Sequence, residues 1–527
     1  MPPRGIRTFE ILFRGGWATD LGTNFSGVTG EGEIRVPFLI DCENAIYHLN
    51  GGIQKMPGTV KLNTTVIPGA TAVMGLYEYI RWGTGGTETR KRICHHDTVI
   101  YKEDLDGTWD SLFTGLEAGK IPSYDTFDDI LIIASDSSTD VPRSWDQTTA
   151  QNLAGTPPNF DFSRSHKNRQ WAAGVDSNPS RLYYSDLNDP ENWTGGTSGS
   201  IDIDRDDGDR ITGIFPHKND LWVLKGPYHG SLHRITGSAP TGTDAFARIP
   251  YIRGVGGINH NSIFKFGDDV GWMGIEGQIH SLAATSAYGD FNQAFLSAPI
   301  FSFIRDELNF SRIQFTWAAT HSPRGQVLID TTRAGATQNN IILAMDYRFA
   351  PVRWSFWPLP INAASVAVLR DTSGVRRPFY GHYDGFVRSG DQPTRTWDGT
   401  AISYKVTLPF LNFGTSDFFK TLYQGRISIV PKGNYNKTFQ WQRDNASAQT
   451  ATVSQGGADV LGTADANQFT LGVSRLAGGK FASPSFDMSG EFRDVQFQIS
   501  QVTNNEDSED HGIGVQIAPG PATTEAP

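Results

Sequence analysis

Short apolar stretches separated by turn residues recur from Gly75 to about Asp391. Each recurrence has an apolar start, an alternating strand around one large residue, and a partner strand beyond a second turn. The central strands are Ile93-Cys94, Ile130-Leu131-Ile132-Ile133, Gln170-Trp171-Ala172-Ala173, Leu221-Trp222-Val223-Leu224, Gly271-Trp272-Met273-Gly274, Val327-Leu328-Ile329 and Phe379-Tyr380-Gly381. From Ile93 through Leu131, Trp171, Trp222, Trp272 and Leu328 to Phe379, successive markers lie 38, 40, 51, 50, 56 and 51 positions apart. A strand-only period of this length marks the blade of a β-propeller, so the pattern predicts an all-β protein with a seven-bladed β-propeller.

Each central strand has a partner across a tight turn: Val99-Ile100-Tyr101, Arg143-Ser144-Trp145, Leu182-Tyr183-Tyr184, Leu232-His233-Arg234, Gln278-Ile279-His280, Ile341-Ile342-Leu343 and Phe386-Val387-Arg388. Asp384-Gly385 and Glu276-Gly277 sit where such a hairpin needs a residue that tolerates positive φ. Outer strands are expected at Leu112-Phe113, Asn152-Leu153, Ile201-Asp202-Ile203, Phe246 to Ile249 and Trp354 to Trp357. The seventh unit lacks a fourth strand of its own, and Thr59-Val60-Lys61-Leu62 is the candidate to close the ring from the N-terminal side.

Outside the repeats the pattern changes. Residues 1–64 read as an N-terminal arm that contributes to propeller closure and subunit contacts, broken by Gly15-Gly16 and by Gly27, Gly30 and Gly32. Pro37 marks Ile34 to Phe38 as an edge strand. The propeller is placed at 65–398 and a C-terminal β-sandwich domain at 399–518. That sandwich rests on Ile402 to Val406, Gly425 to Val430, Phe439 to Gln442, Val495 to Ile499 and Val515 to Ile517, several of which alternate apolar with polar. Residues 519–527, rich in Pro, Thr and Ala, read as a flexible tail.

Composition agrees with a turn-rich β protein: 57 Gly, 28 Pro and 12% aromatic residues among 527. Little helix is expected. The formal net charge of -11 argues against a dedicated nucleic-acid binder. There is no run of 18 apolar residues, so no membrane insertion is expected, and the start lacks a signal-peptide core, which implies synthesis in a cytoplasm. Two cysteines, Cys42 and Cys94, are too few for a disulfide framework.

Candidate chemistry is sparse. Asp202, Asp204, Asp206, Asp207 and Asp209 form the densest acidic cluster, and a calcium loop is the first chemistry such spacing suggests. Asp207, however, stands where that loop needs glycine, and Gly213 where it needs glutamate. The same cluster also fits a solvated blade loop, or a negative surface past which a polyanion moves without sticking. Cys94-His95-His96 has no second ligand pair for zinc. Ser389 to Trp397 partly resembles the turn repeated in sialidase-type propellers, but it does not recur. Gly254-Val255-Gly256-Gly257 precedes no helix and is not a phosphate loop. Trp171, Trp222, Trp272 and Trp317 are assigned to the core between blades rather than to sugar stacking. No catalytic constellation, cofactor motif or metal set emerges.

Several stretches in order resemble a known family. They are Gly51-Gly52-Ile53-Gln54-Lys55-Met56-Pro57-Gly58-Thr59, then Asn168 to Gly174, Arg181 to Asp186, Asp189-Pro190-Glu191-Asn192-Trp193, and Gly208 to Gly213 with Leu221 to Lys225. Together they are similar to the tail nozzle proteins of short-tailed bacteriophages, over most of residues 10–235. Met56 departs from the basic residue that family carries before its Pro-Gly. The resemblance implies a non-enzymatic virion protein, one subunit of a homo-oligomer, a hexamer, below the portal and adaptor. It also implies contacts with the tail adaptor, fibre or spike, and needle or plug proteins, and a channel for passing double-stranded DNA. Asp202 to Asp209, or Glu506-Asp507-Ser508-Glu509-Asp510, would then line or fringe that channel. A propeller lectin or receptor-binding tail protein, and a propeller glycoside hydrolase, are the alternatives.

Overall fold

The computed structural model describes residues 5–21, 24–25, 33–67, 71–83, 85–288, 295–414, 417–433, 435–444, 446–455 and 482–519. The expected tail beyond Pro519, and the glycines at 27, 30 and 32, lie outside them. The chain divides into two compact units: Val60–Ile342 with Ile361–Gly390, and Met1–Thr59 with Leu343–Pro360 and Asp391–Pro527.

The first unit is a β-propeller, and every marker residue lies in a strand. Four blades have four strands each: Val73–Trp82 to Trp109–Phe113, Pro122–Phe127 to Ala150–Asn152, Phe162–His166 to Gly199–Asp202, and Arg210–His217 to Ala247–Arg253. A fifth has three, Phe264–Phe266, Asp269–Met273 and Ile279–Ser281. The last is built on Ala363–Arg370, Arg376–His382 and Val387–Gln392.

Among the described residues six sheets therefore stand as blades, which corrects the expected seven. The strands around Leu328, Trp317–His321 and Gln326–Thr331, do form a hairpin, but they are part of a sheet of eleven strands rather than a sheet of their own. A continuous apolar run specifies a strand with two buried faces; it carries no information about which strand pairs with its edges.

The apolar runs are continuous because each central strand is buried on both sides, and period two sends alternate residues to opposite neighbours. Leu131 and Ile133 pack with Tyr79 and Ile93 of the preceding blade, whereas Ile132 and Ala134 pack with Phe160 and Ala172 of the following one. Leu221 and Val223 join Trp171, while Trp222 and Leu224 join Trp272. All four assigned tryptophans are buried. The turn glycines Gly277 and Gly385 have φ of 83° and 80°.

Helix is sparse but not absent. After the fifth blade's third strand, Leu282–Tyr288 turns helical. Ser281 Oγ accepts the Ala284 N–H at 3.2 Å and Asp269 Oδ1 accepts the Ala283 N–H at 3.1 Å, satisfying first-turn donors that have no partner within the helix.

The ring closes on a segment from outside the repeats. Leu62 N–H donates to Val387 O at 2.8 Å, Val387 N–H donates to Asn63 Oδ1 at 3.0 Å, and Ile67 N–H donates to Gly385 O at 3.1 Å. The strand Gly58–Lys61 leads into these contacts. Ile67 then packs with Phe379 and Val387 of the last blade and with Leu76, Cys94 and Tyr101 of the first. Ser365 Oγ donates to Val73 O at 2.8 Å across the same seam.

The second unit is also built of strands. Its main sheet runs Glu33–Leu39, Arg7–Trp17, Glu509–Pro519, Lys420–Ile429, Ser485–Phe492. Strands from residues 1–64 and from 399–518 share this sheet. Phe9, Ile11 and Phe13 give Arg7–Trp17 one apolar face, so it takes a partner on each edge: Ile11 lies opposite Ile34 in parallel and opposite Ile513 antiparallel. Glu33–Leu39, with Pro37, is at the sheet edge as its proline predicts. A Cβ at Gly15 would lie 1.8 Å from Pro37 O, so only glycine fits beside that proline.

Asn63→Ala removes the acceptor of a buried backbone N–H and should lower propeller stability by about 1–3 kcal/mol. Urea unfolding checks this; a midpoint equal to wild type would show that the Asn63 contact does not secure the seam.

Candidate functional site: the acidic loop around Lys225

Of the five aspartates predicted from sequence, Asp202 ends the outer strand of the third blade and the other four lie in the loop that leads to the fourth, and the structure gives most of them a partner. At its centre is Lys225, the last residue of the apolar run Leu221 to Leu224 plus one, which alternation and strand length carry to the loop. Its side chain is fully buried. Nζ donates to Ile203 O at 2.8 Å, Asp204 O at 2.7 Å and Asp207 Oδ1 at 2.6 Å, with Ser180 Oγ at 3.2 Å. Two carbonyls, a hydroxyl and a carboxylate form an oxygen cage of the kind a calcium loop offers, and an ammonium group fills it.

The remaining carboxylates are used locally. Asp209 is 3% exposed and accepts the N–H groups of Tyr228, His229 and Gly230 at 2.7, 3.0 and 2.8 Å. Asp204 pairs with Arg248. His233 lies 3.8 Å from Asp204, but burial pushes its pKa down to about 4, so it is neutral at pH 7. Asp202 pairs with Arg181 at 2.7 Å and Arg205 at 3.4 Å, and the hydrogen bond from Arg181 leads in holding its carboxyl below the usual range. Asp202 and Asp206 are the exposed members of the five, and Asp206 makes no ion pair among the described residues. The loop borders a hollow of about 580 Å³ together with His229 and Arg253.

Gly254-Val255-Gly256-Gly257 belongs to the same construction. A Cβ on Gly256 would lie 2.1 Å from Lys225 O, so glycine lets this backbone pass against the lysine strand. The glycine run serves packing.

The second acidic stretch is likewise internal to its own unit. Asp510 and Lys437 are fully buried and pair at 2.6 Å, with Tyr404 Oη donating to Asp510 at 2.9 Å. Asp507 pairs with Arg395 at 2.7 Å and Glu509 with Lys432 at 2.6 Å. Burial raises the Glu509 pKa, but hydrogen bonds from His511 and Lys432 outweigh it and hold the carboxyl down to about 2. Arg395 and buried Trp397, from the sialidase-like turn, serve this network and the core.

The other candidates do not assemble. Cys94 and His95 are buried in the first blade, and burial lowers the His95 pKa to about 4. His96 Nε2 accepts the Thr71 N–H at 3.2 Å. Among the described residues no three His, Cys, Asp or Glu side chains are grouped to hold a metal ion. Among them, too, no helix is long and apolar enough to cross a membrane.

Sequence reasoning missed Lys225 as a site residue, together with Arg181 and Arg248. A lysine ending an apolar strand run, next to a dense acidic loop in the preceding connection, was the available signal. It also missed the cavity around Asp161 and Arg210, whose pairing spans 49 positions.

No family model matches the sequence, and no curated protein matches it. Similar solved structures include YCF48 bound to D1 peptide (9% identity, covering 64% of this chain and 97% of that one, TM-score 0.37). They also include the β-propeller domain of Myceliophteria thermophila Cps50 (Swd1) (9%, 62% and 98%, TM-score 0.38). A third is the gluconolactonase XC5397 from Xanthomonas campestris (12%, 68% and 98%, TM-score 0.31). Likenesses of this size say nothing about this chain's chemistry.

Lys225→Met should destabilise the propeller by about 3–5 kcal/mol, because it leaves Asp207 and two carbonyls facing an apolar side chain. Asp206→Asn should stay within about 0.5 kcal/mol of wild type. Denaturant unfolding of both variants checks the pair, and equal midpoints would contradict the ammonium-filled cage.

Proposed function

We propose that this protein is a structural subunit of the tail nozzle of a short-tailed bacteriophage, in a ring that extends the DNA-ejection channel below the portal and adaptor. The observation that carries the reading is the order of the family-like stretches along the chain. Asn168 to Gly174 and Arg181 to Asp186 fall on neighbouring strands of one blade, and Gly208 to Gly213 and Leu221 to Lys225 on neighbouring strands of the next. The last two stretches also pair directly, Ile211 lying opposite Lys225 and Gly213 opposite Leu224. Motifs that depend on one another for packing support descent from a common architecture better than isolated matches do.

In this reading the protein works as a homo-hexamer in the virion, holds the adaptor and other tail proteins, and catalyses nothing. A net charge of -11 suits a conduit, since duplex DNA carries a charge about every 1.7 Å and a basic wall would retain it. The local pairing around Lys225 narrows the acidic contribution. Asp202, Asp204, Asp207 and Asp209 have local partners, which leaves Asp206 as the loop carboxylate offered to a passing polyanion.

Two measurements test the reading. Gold-labelled antibodies against this protein should decorate the tail of the parent particle between portal and tail tip; labelling of the capsid or of no particle contradicts it. In assembled particles Asp206→Lys should slow genome ejection, and unchanged ejection would remove the loop from the channel.

A further inference from the structure

A cavity of about 520 Å³ opens in the propeller at the starts of the strands Pro122–Phe127, Phe162–His166 and Arg210–His217. Phe162, Ile275 and Phe310 give it apolar walls, and Asp136, Asp161 and Arg210 supply charge at one side. An apolar hollow of this size with a few convergent polar groups is the usual form of a small-molecule site.

The charges are unevenly satisfied. Arg210 Nη2 donates to Asp161 Oδ2 at 2.6 Å and to Gly174 O at 3.2 Å, and lies 3.6 Å from Asp176 Oδ1, so its positive charge is already shared between two carboxylates. Asp136 Oδ1 accepts the Ile121 N–H at 2.5 Å. Asp161 Oδ1 accepts no hydrogen bond among the described residues, although the Asp161 side chain is only 16% exposed. The groups acting on Asp161 are Arg210 and Lys120 against Asp136 and Asp176, so the surroundings, with Asp161 itself, carry one unbalanced negative charge.

We infer that this cavity binds a protonated amine carried on an apolar body, with the ammonium at Asp161 Oδ1 and the body against Phe162, Ile275 and Phe310. An anionic ligand would meet no free cation there, because Arg210 is spent. A neutral apolar ligand would leave Asp161 Oδ1 without a hydrogen bond while Oδ2 stays paired with Arg210, at the cost of one desolvated acceptor. Burial, only partly offset by Arg210, raises the Asp161 pKa to about 7, as for a carboxylate short of counter-charge. An ammonium ligand supplies that charge and favours the ionised form.

The test uses the intact protein titrated with benzylamine, benzyl alcohol and benzoate, followed by calorimetry. Benzylamine should bind, benzoate should not, and benzyl alcohol should bind at least tenfold more weakly than benzylamine. Benzylamine affinity should tighten about tenfold between pH 6 and pH 8, as Asp161 loses its proton while the amine keeps its own. Asp161→Asn should abolish both the preference and the pH dependence. Ile275→Trp fills the cavity without altering charge and should abolish binding, so it decides the matter if Asp161→Asn does not fold. Equal affinity for the alcohol and the amine, binding of benzoate, no binding at all, or undiminished binding by a folded Ile275→Trp variant would overturn the inference.

Discussion

A ring of strands has to satisfy its own last edge. Every blade offers backbone donors and acceptors along its strands, and an open seam would expose a row of them while wetting the apolar faces of two blades. In this protein the seam is joined by residues that precede the repeats: Leu62 and Asn63 hold Val387 by hydrogen bonds in both directions, and Ile67 completes the packing between the last blade and the first. The remaining packing of the propeller follows from that closure. Once the ring is shut, each central strand has a neighbour on both faces, and continuous runs such as Ile130 to Ile133 can be buried throughout.

This construction was largely legible in the sequence because period-two alternation is a local property. Leu131 and Ile133 must go one way and Ile132 the other, whatever the topology, and turn glycines such as Gly277 and Gly385 mark the hairpins directly. What alternation does not encode is the identity of a strand's partner at its free edge. The hairpin around Leu328 was therefore visible, but its place in a sheet of eleven strands was not, and the blade count came out at six rather than seven. The same limit explains residues 7–17. Phe9, Ile11 and Phe13 announce a half-buried strand, yet its partner Glu509–Pro519 lies at the far end of the chain. The short helix Leu282–Tyr288 depends on caps from Ser281 and Asp269, one adjacent and one a strand away, which no helical periodicity signals.

Charge was legible as number and position but not as state. The five aspartates from Asp202 to Asp209 read as free negative charge, whereas the fold delivers Lys225, Arg181 and Arg248 to them and leaves Asp206 exposed. Lys437 does the same for Asp510. In both places a buried ammonium organises an acidic segment, and what looks like a solvent-facing patch is part of the structural framework. Conversely, Asp161 and Arg210 carried no local signal, and their pairing leaves one carboxylate oxygen unused at the wall of a cavity. Partner geometry, rather than local composition, separates the structural acids from those that are available to a ligand.

The proposed nozzle subunit makes one demand above all others: copies of this chain must associate around an open axis. Electron microscopy of the purified protein, with the parent particle imaged alongside, tests this most directly. The account predicts a ring of six copies with a continuous axial opening wide enough for duplex DNA, matching density below the portal. Isolated monomers at high concentration, together with a parent particle that has no corresponding ring, would contradict it.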